Sequence, residues 1–341
     1  MRIEDFDYDL PEELIAQTPI EPRSAARLLV DRGTVDPDHR RVADLVDILE
    51  PGDLLVVNDT KVIPARLRLR RVSGGAVEVL LLEEISPGTW ECLIRPGGRL
   101  SAGEALVDAG GRSILRVDGR SPAPAEGTFV VSALIDPADL LDHGEIPLPP
   151  YIGGGASDPD RYQTVFADRP ASSAAPTAGL HLTNELLGDL ADRGVGLATV
   201  ELVIGLDTFR PIAVSDLDDH RMHTESYRVP AETMAACRSA RRVVAVGTTA
   251  TRALESAAAR DRLEGRTDLF IRPPFDWQVV DLMVTNFHLP RTTLLVMIEA
   301  FVGPRWRRLY SAAIEERYRM LSFGDAMLLD RHAPGSAGPR H

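Results

Sequence analysis

The feature that most restricts how this chain can fold is a change of texture at about residue 66. From there to about residue 131, short period-two runs such as Val77-Glu78-Val79-Leu80-Leu81 and Trp90-Glu91-Cys92-Leu93-Ile94 are separated by Ser73-Gly74-Gly75, Pro96-Gly97-Gly98 and Ala109-Gly110-Gly111. Alternation places successive side chains on opposite strand faces, and the glycine turns keep the strands close, so this stretch predicts a small antiparallel barrel or sandwich. Outside it, strands alternate with helices. The apolar run Leu54-Leu55-Val56-Val57 reads as a strand, and 195–204, Val243-Val244-Ala245-Val246 and 279–284 read as others. Between and after them lie helical patterns at 185–193, with Thr183 as N-cap and Gly194 as stop, at 230–240, 250–259 and 293–301. Such alternation implies a mostly parallel sheet covered on both faces. The expected fold class is therefore an α/β main domain with a mostly parallel sheet, residues 1–65 and 151–341, interrupted by an inserted all-β, barrel-like domain at 66–150.

Composition narrows the function classes. Among 341 residues, 38 Lys+Arg face 51 Asp+Glu, a formal charge of −13, which disfavours a broad basic footprint on nucleic acid. Local contacts stay open at the arginine clusters within 66–71, 238–242 and 305–308, although most such clusters are solvated faces. Two cysteines are too few for a disulfide framework, so a reducing cytoplasm is the expected location. No apolar run approaches the ~18 residues that cross a bilayer, so no membrane partner is expected. There is no Walker loop, no G-x-G-x-x-G, no G-x-S-x-G and no Cys-x-x-Cys.

In open α/β sheets ligands bind at the carboxyl ends of the strands. Four strand exits here carry polar residues: Asn58-Asp59-Thr60-Lys61, Gly205-Leu206-Asp207-Thr208, Gly247-Thr248-Thr249 and Thr285-Asn286-Phe287-His288. Thr248 and Thr249 by themselves are most simply helix caps, but the turn also suits an anion, with Arg252 one turn on. Four such exits together suggest a pocket. Ala175-Pro176-Thr177-Ala178-Gly179-Leu180-His181 adds small residues that let backbone approach a ligand, and an imidazole. His220-Arg221-Met222-His223-Thr224-Glu225 lacks the helical spacing of a zinc motif, leaving a structural cluster or a substrate and acid–base role open.

These segments resemble the S-adenosylmethionine:tRNA ribosyltransferase-isomerase family of queuosine biosynthesis nearly from end to end. The matching blocks include Asp5-Phe6-Asp7-Tyr8-Asp9-Leu10-Pro11-Glu12, Asn58 through Leu67, Ile146-Pro147-Leu148-Pro149-Pro150-Tyr151-Ile152 and Tyr162-Gln163-Thr164-Val165. They continue with 174–181, His220-x-Met222-His223-x-Glu225, Val246-Gly247-Thr248-Thr249 with Arg252, Thr285 through Pro290, and Ser322-Phe323-Gly324-Asp325-Ala326-Met327.

The resemblance implies an α/β domain interrupted by a β-barrel. It also implies transfer and isomerisation of the ribosyl group of S-adenosylmethionine onto a 7-aminomethyl-7-deazaguanine in the tRNA anticodon, with release of adenine and methionine. S-adenosylmethionine is then a co-substrate, and no metal or redox cofactor is expected.

The available acid–base groups are His181, His223, Glu225 and His288, with His181 or His223 as the expected base. Substrate contacts are expected from Asn58, Asp59, Lys61, Arg66, Thr177, Gly179, Asp207, Thr208, Thr248, Thr249, Arg252 and Asn286. Departures from the family pattern fall at Val203 and Asp207, at Arg272-Pro273-Pro274, at Leu182 and at Ala171-Ser172-Ser173. They motivate an alternative in which S-adenosylmethionine chemistry serves a small-molecule or intramolecular acceptor. A non-catalytic RNA- or nucleotide-binding relative is a third reading.

Overall fold

The computed structural model describes residues 1–98, 100–121, 127–153, 159–205, 212, 214–222 and 224–334. A nine-stranded mixed sheet forms the larger layer. Its centre is four parallel strands in the order Gly196–Leu202, Leu54–Asn58, Val243–Val246 and Leu282–Asn286. Leu54–Asn58 lies inside this set and all five of its residues are buried, which is why the sequence there is an unbroken apolar run rather than an alternating one. Leu54 and Val56 face one hydrophobic cluster, and Leu55 and Val57 face the other. Helices Gly247–Arg260, Thr293–Val302 and Trp306–Glu315 contribute to the first cluster; Leu45–Ile48 and Asn184–Asp192 contribute to the second.

Both flanks of the parallel core add antiparallel pairings. On one side Ala326–Asp330 runs antiparallel to Leu282–Asn286 and parallel to Arg27–Val30, which pairs with Asp38–Arg41. On the other side Glu225–Arg228 and Glu264–Thr267 form an antiparallel edge beside Gly196–Leu202. These flanking strands are short, four or five residues each, and sequence periodicity did not single them out.

The region of glycine-separated strands closes on itself. Arg66–Arg71, Ala76–Ser86, Thr89–Arg95, Thr128–Ala133, Ser113–Arg120 and Ala105–Val107 pair antiparallel in that order, and the last returns to the first. Closure removes both open edges. The barrel holds its own core, including Leu67, Val79, Leu81, Cys92, Leu115 and Val131. The arginines of Arg66–Arg71 are largely committed to carboxylates: Arg68 to Glu145 at 3.1 Å and Arg71 to Glu104 at 2.6 Å, with Glu78 3.9 Å from Arg66.

Candidate functional site

Three of the four central parallel strands, Gly196–Leu202, Val243–Val246 and Leu282–Asn286, lead into one cleft of about 580 Å³. The turn after Val243–Val246 reaches its helix within one residue, and Gly247 makes this possible by adopting φ +93°, a left-handed conformation costly for a residue with a Cβ. The first turn, Gly247, Thr248 and Thr249, lines the cleft. The helix has no side-chain N-cap, so its amino end keeps N–H groups available for an acceptor. Thr249 is 9% exposed and its Oγ1 is buried with no hydrogen-bond partner among the described residues.

The strand Leu282–Asn286 delivers the opposite wall. Thr285 Oγ1 lies 3.0 Å from His288 Nε2. The backbone of His288 is clamped by two tyrosines: its N–H donates to Tyr310 Oη at 3.0 Å, and its carbonyl accepts from Tyr8 Oη at 2.6 Å. Burial pushes the His288 imidazole down to about 3, so it is neutral at working pH. Thr177 Oγ1 donates to Asn286 Oδ1 at 2.8 Å, joining the short helical turn Thr177–His181 to this wall. Tyr151 and Ser322, 2.6 Å apart through their hydroxyls, close a further side. Among the described residues the lining holds no carboxylate, lysine or arginine.

A second, apolar lobe of about 370 Å³ shares Thr248, Thr249 and Leu294 with the first. Its walls include Leu202, Phe270, Ile271 and Met297, and its charged groups among the described residues are Glu225 and Arg252, which bind each other. Arg252 also donates Nε to Leu269 O and Nη2 to Thr267 O, both at 3.1 Å. Glu225 Oε1 accepts from Gly205 N at 3.3 Å. The guanidinium expected to hold a ligand carboxylate is thus committed inside the fold.

The remaining expected residues fall elsewhere. Asn58 is buried outside the cleft and bridges two strands, with Nδ2 donating to Leu202 O at 3.0 Å and Oδ1 accepting from Leu202 N at 3.2 Å. Asp59 lies beside Glu201 and Asp168, and burial first, then those like charges, raise its carboxyl. Lys61 is exposed on a two-residue strand, and Arg66 donates to Leu148 O at 3.2 Å at the start of the barrel.

His181 is buried but not in the cleft. Its Nε2 meets Gly324 O at 2.8 Å and its Nδ1 meets Ala178 O at 3.2 Å, so both ring nitrogens face backbone carbonyls. Gly179 serves close packing, because a Cβ there would come within 2.7 Å of the Phe166 ring. Asp207, Thr208 and His223 lie outside the described residues. The structure therefore gathers Thr177, Thr248, Thr249, Asn286 and His288 in one place, with Glu225 and Arg252 beside them. Tyr151 and Ser322 were not singled out as site residues; both lie in blocks that carry the resemblance, and that was the available signal.

Comparison with known proteins gives a consistent result. A family model described as queuosine biosynthesis protein matches residues 3–329. An S-adenosylmethionine:tRNA ribosyltransferase-isomerase of Thermotoga maritima is 47% identical over 341 residues, covering 96% of this chain and 100% of the relative. One of Rubrobacter xylanophilus is 47% identical over 331 residues, with 96% and 98% covered. A crystal structure of S-adenosylmethionine tRNA ribosyltransferase from Thermotoga maritima superposes with a TM-score of 0.55 at 40% identity, covering 95% of this chain and 99% of that one. By model and by near-complete relatives alike, the chain belongs to the queuosine biosynthesis protein family.

Proposed function

We propose that this protein transfers and isomerises the ribosyl group of S-adenosylmethionine onto the 7-aminomethyl-7-deazaguanine of tRNA, giving epoxyqueuosine-tRNA and releasing adenine and methionine. The observation that carries the reading is the cleft at the carboxyl ends of the parallel strands, whose lining among the described residues carries no carboxylate, lysine or arginine and is walled by Gly247-Thr248-Thr249, Thr285 to His288 and 175–178, the segments that carry the family motifs. A sulfonium cation placed there meets hydroxyl and amide groups and, among the described residues, no like charge. The same setting favours the neutral amine that must attack.

Residue roles follow from chemistry and position. The first turn of Gly247–Arg260, with Thr249 Oγ1 as an unused hydroxyl, suits the methionyl carboxylate. The sulfonium acidifies the ribose 5′ protons, so the reaction can begin with one positioned base. We assign that role to His288. It lines the cleft, one ring nitrogen is held by Thr285, and Nδ1 has no hydrogen-bond partner among the described residues. Thr177 and Asn286 would orient hydroxyls or adenine. In this reading residues 1–65 and 151–341 form the catalytic domain and 66–150 an insertion. The acceptor is the anticodon region, the location is the cytoplasm, and no metal or redox cofactor takes part.

The test is adenine release from S-adenosylmethionine with and without anticodon stem-loop RNA carrying the aminomethyl base. Release that depends on the RNA supports the proposal. Release without RNA would favour the small-molecule alternative, which the tRNA-named relatives do not support. Bound S-adenosylmethionine with no turnover in either arm would refute catalysis.

A further inference from the structure

We propose that an open groove on the far side of the sheet's antiparallel edge holds the sugar–phosphate backbone of the RNA acceptor. This rests on the tRNA reading above and adds a surface to it. Along Gly196–Leu202 and Glu225–Arg228, alternate residues point to opposite faces. Leu202 and Glu225 line the apolar lobe of the cleft, whereas Glu201, Val203, Ser226 and Arg228 line a groove of about 670 Å³ behind it. One sheet layer separates the two. A nucleotide whose base enters the cleft carries its flanking phosphates past that edge.

The groove's lining is richer in arginine than in carboxylate. Four arginines, Arg169, Arg228, Arg262 and Arg266, face two glutamates, in a protein whose formal charge is −13. Arg169 and Arg228 both reach Glu201, at 2.7 and 3.3 Å, with Asp59 close to that carboxylate and Asp168 close to Asp59. Arg262 is exposed and makes no ion pair among the described residues. Arg266 binds Glu83 of the barrel, which brings the barrel to the groove's rim.

Most of the arginines in the clusters apparent in the sequence are committed elsewhere, with Arg70 and Arg238 exposed and outside any ion pair among the described residues. Arg241 and Arg242 pair with Glu50 and Asp53, Arg305 with Asp31, and Arg307 with Glu299. Guanidinium forks set along a groove match phosphate oxygens bidentately, and each phosphate neutralised releases counterions. The pattern fits a nucleic-acid strand better than a small anion, for which the groove is too open and its charges too spread.

Fluorescence anisotropy with the anticodon stem-loop RNA tests this. Arg228→Ala combined with Arg262→Ala is expected to weaken RNA binding by roughly tenfold per side chain and to flatten the slope of log affinity against log salt by about one per phosphate contact. S-adenosylmethionine affinity by calorimetry should stay unchanged. Arg193→Ala, at the amino end of Gly196–Leu202 where Arg193 pairs with Asp47, should leave RNA binding unchanged. Arg262→Ala alone breaks no ion pair among the described residues, so it guards against loss through misfolding, and it too must reduce the slope. Wild-type RNA affinity and slope in these variants overturn the groove. If RNA-dependent adenine release persists in that case, the activity stands and only the surface is wrong. A wild-type protein that binds no RNA overturns the groove, and absence of RNA-dependent release then removes the tRNA reading with it.

Discussion

The two lobes of the cleft are built from adjacent residues of the same strands and helix, yet they treat polar groups in opposite ways. In the apolar lobe the ionisable groups are fully engaged: Glu225 binds Arg252, and Arg252 is further held by two carbonyls. In the polar lobe the fixed charges are absent among the described residues, while Thr249 Oγ1 and one nitrogen of His288 keep hydrogen-bonding capacity. Charged residues in a family motif are therefore not automatically the ones that meet substrate. A buried ion pair satisfies itself, and a neutral group with an unused lone pair is better placed to take part in chemistry.

The sharpest way to break this contrast is His288→Asn. If the polar lobe holds the base, kcat for adenine release falls by roughly a hundredfold to ten-thousandfold while S-adenosylmethionine affinity changes little. Comparable loss in affinity with kcat intact would make His288 a binding residue instead. The wild-type pH profile gives a second readout. With the imidazole pushed down to about 3, log kcat should show no acid limb near the ordinary histidine value of about 6.5 that is attributable to His288.

In the apolar lobe the largest effect should appear in stability. Glu225→Ala leaves the Arg252 guanidinium buried without its carboxylate and is expected to cost about 3–5 kcal/mol, read by denaturant unfolding. Replacing both partners with apolar residues, Glu225→Leu with Arg252→Met, should recover most of that loss. If the double variant is as unstable as the single one, or if Glu225→Ala abolishes turnover with no loss of stability, Glu225 belongs with the chemistry and the contrast between the lobes fails.

What the sequence conveyed differs between these regions for physical reasons. Long elements with a strong period were readable: the Thr183 cap appears as a hydroxyl accepting from Leu186 N at 3.2 Å, Val243–Val246 has the expected bounds, and the glycine-separated strands close into a barrel. Short antiparallel strands were not readable. Glu225–Arg228 and Glu264–Thr267 are held by pairing partners from distant parts of the chain rather than by local pattern. The same limit applies to the site. Strand exits pointed to Thr248, Asn286 and His288 because position relative to the sheet follows from local sequence. Asn58 occupies an equivalent exit, but its amide is taken up in cross-strand bonding to Leu202, which depends on a neighbour 144 residues away. His181 ends a glycine-containing turn as motif reading expects, and only the packing of 319–325 reveals the carbonyl that Nε2 meets. Runs of arginine were likewise misleading guides to surface charge, since their carboxylate partners lie far away in sequence.

An intermediate effect is expected at the hinge between the lobes. Thr249→Val keeps the shape and removes the hydroxyl. If that hydroxyl meets the methionyl carboxylate, S-adenosylmethionine binds roughly ten- to a hundredfold more weakly, because hydrogen bonds to charged groups contribute about 1.5–3 kcal/mol. Thr249→Ser should restore most of the affinity. Stability should hold or rise slightly, since the variant removes a buried oxygen that lacks a partner among the described residues. Unchanged affinity in Thr249→Val would assign the carboxylate to another part of the cleft.

The smallest effects compare the two buried imidazoles. Burial lowers both His181 and His288 below the ordinary histidine value, so in each case the folded protein binds a proton less readily than the unfolded chain. Their contribution to stability is therefore complete above pH ~6.5 and declines as pH falls, for His288 over the interval down to about 3. His181→Gln and His288→Gln should each flatten part of the fall in melting temperature between pH 7 and 4. The two variants should separate in activity. His181 faces the carbonyls of Gly324 and Ala178, so its loss should reduce stability by about 1 kcal/mol while changing kcat by no more than a few-fold at a temperature well below the transition. A collapse of kcat in a folded His181→Gln protein would return the base to the turn at 177–181 and leave His288 as a member of the wall.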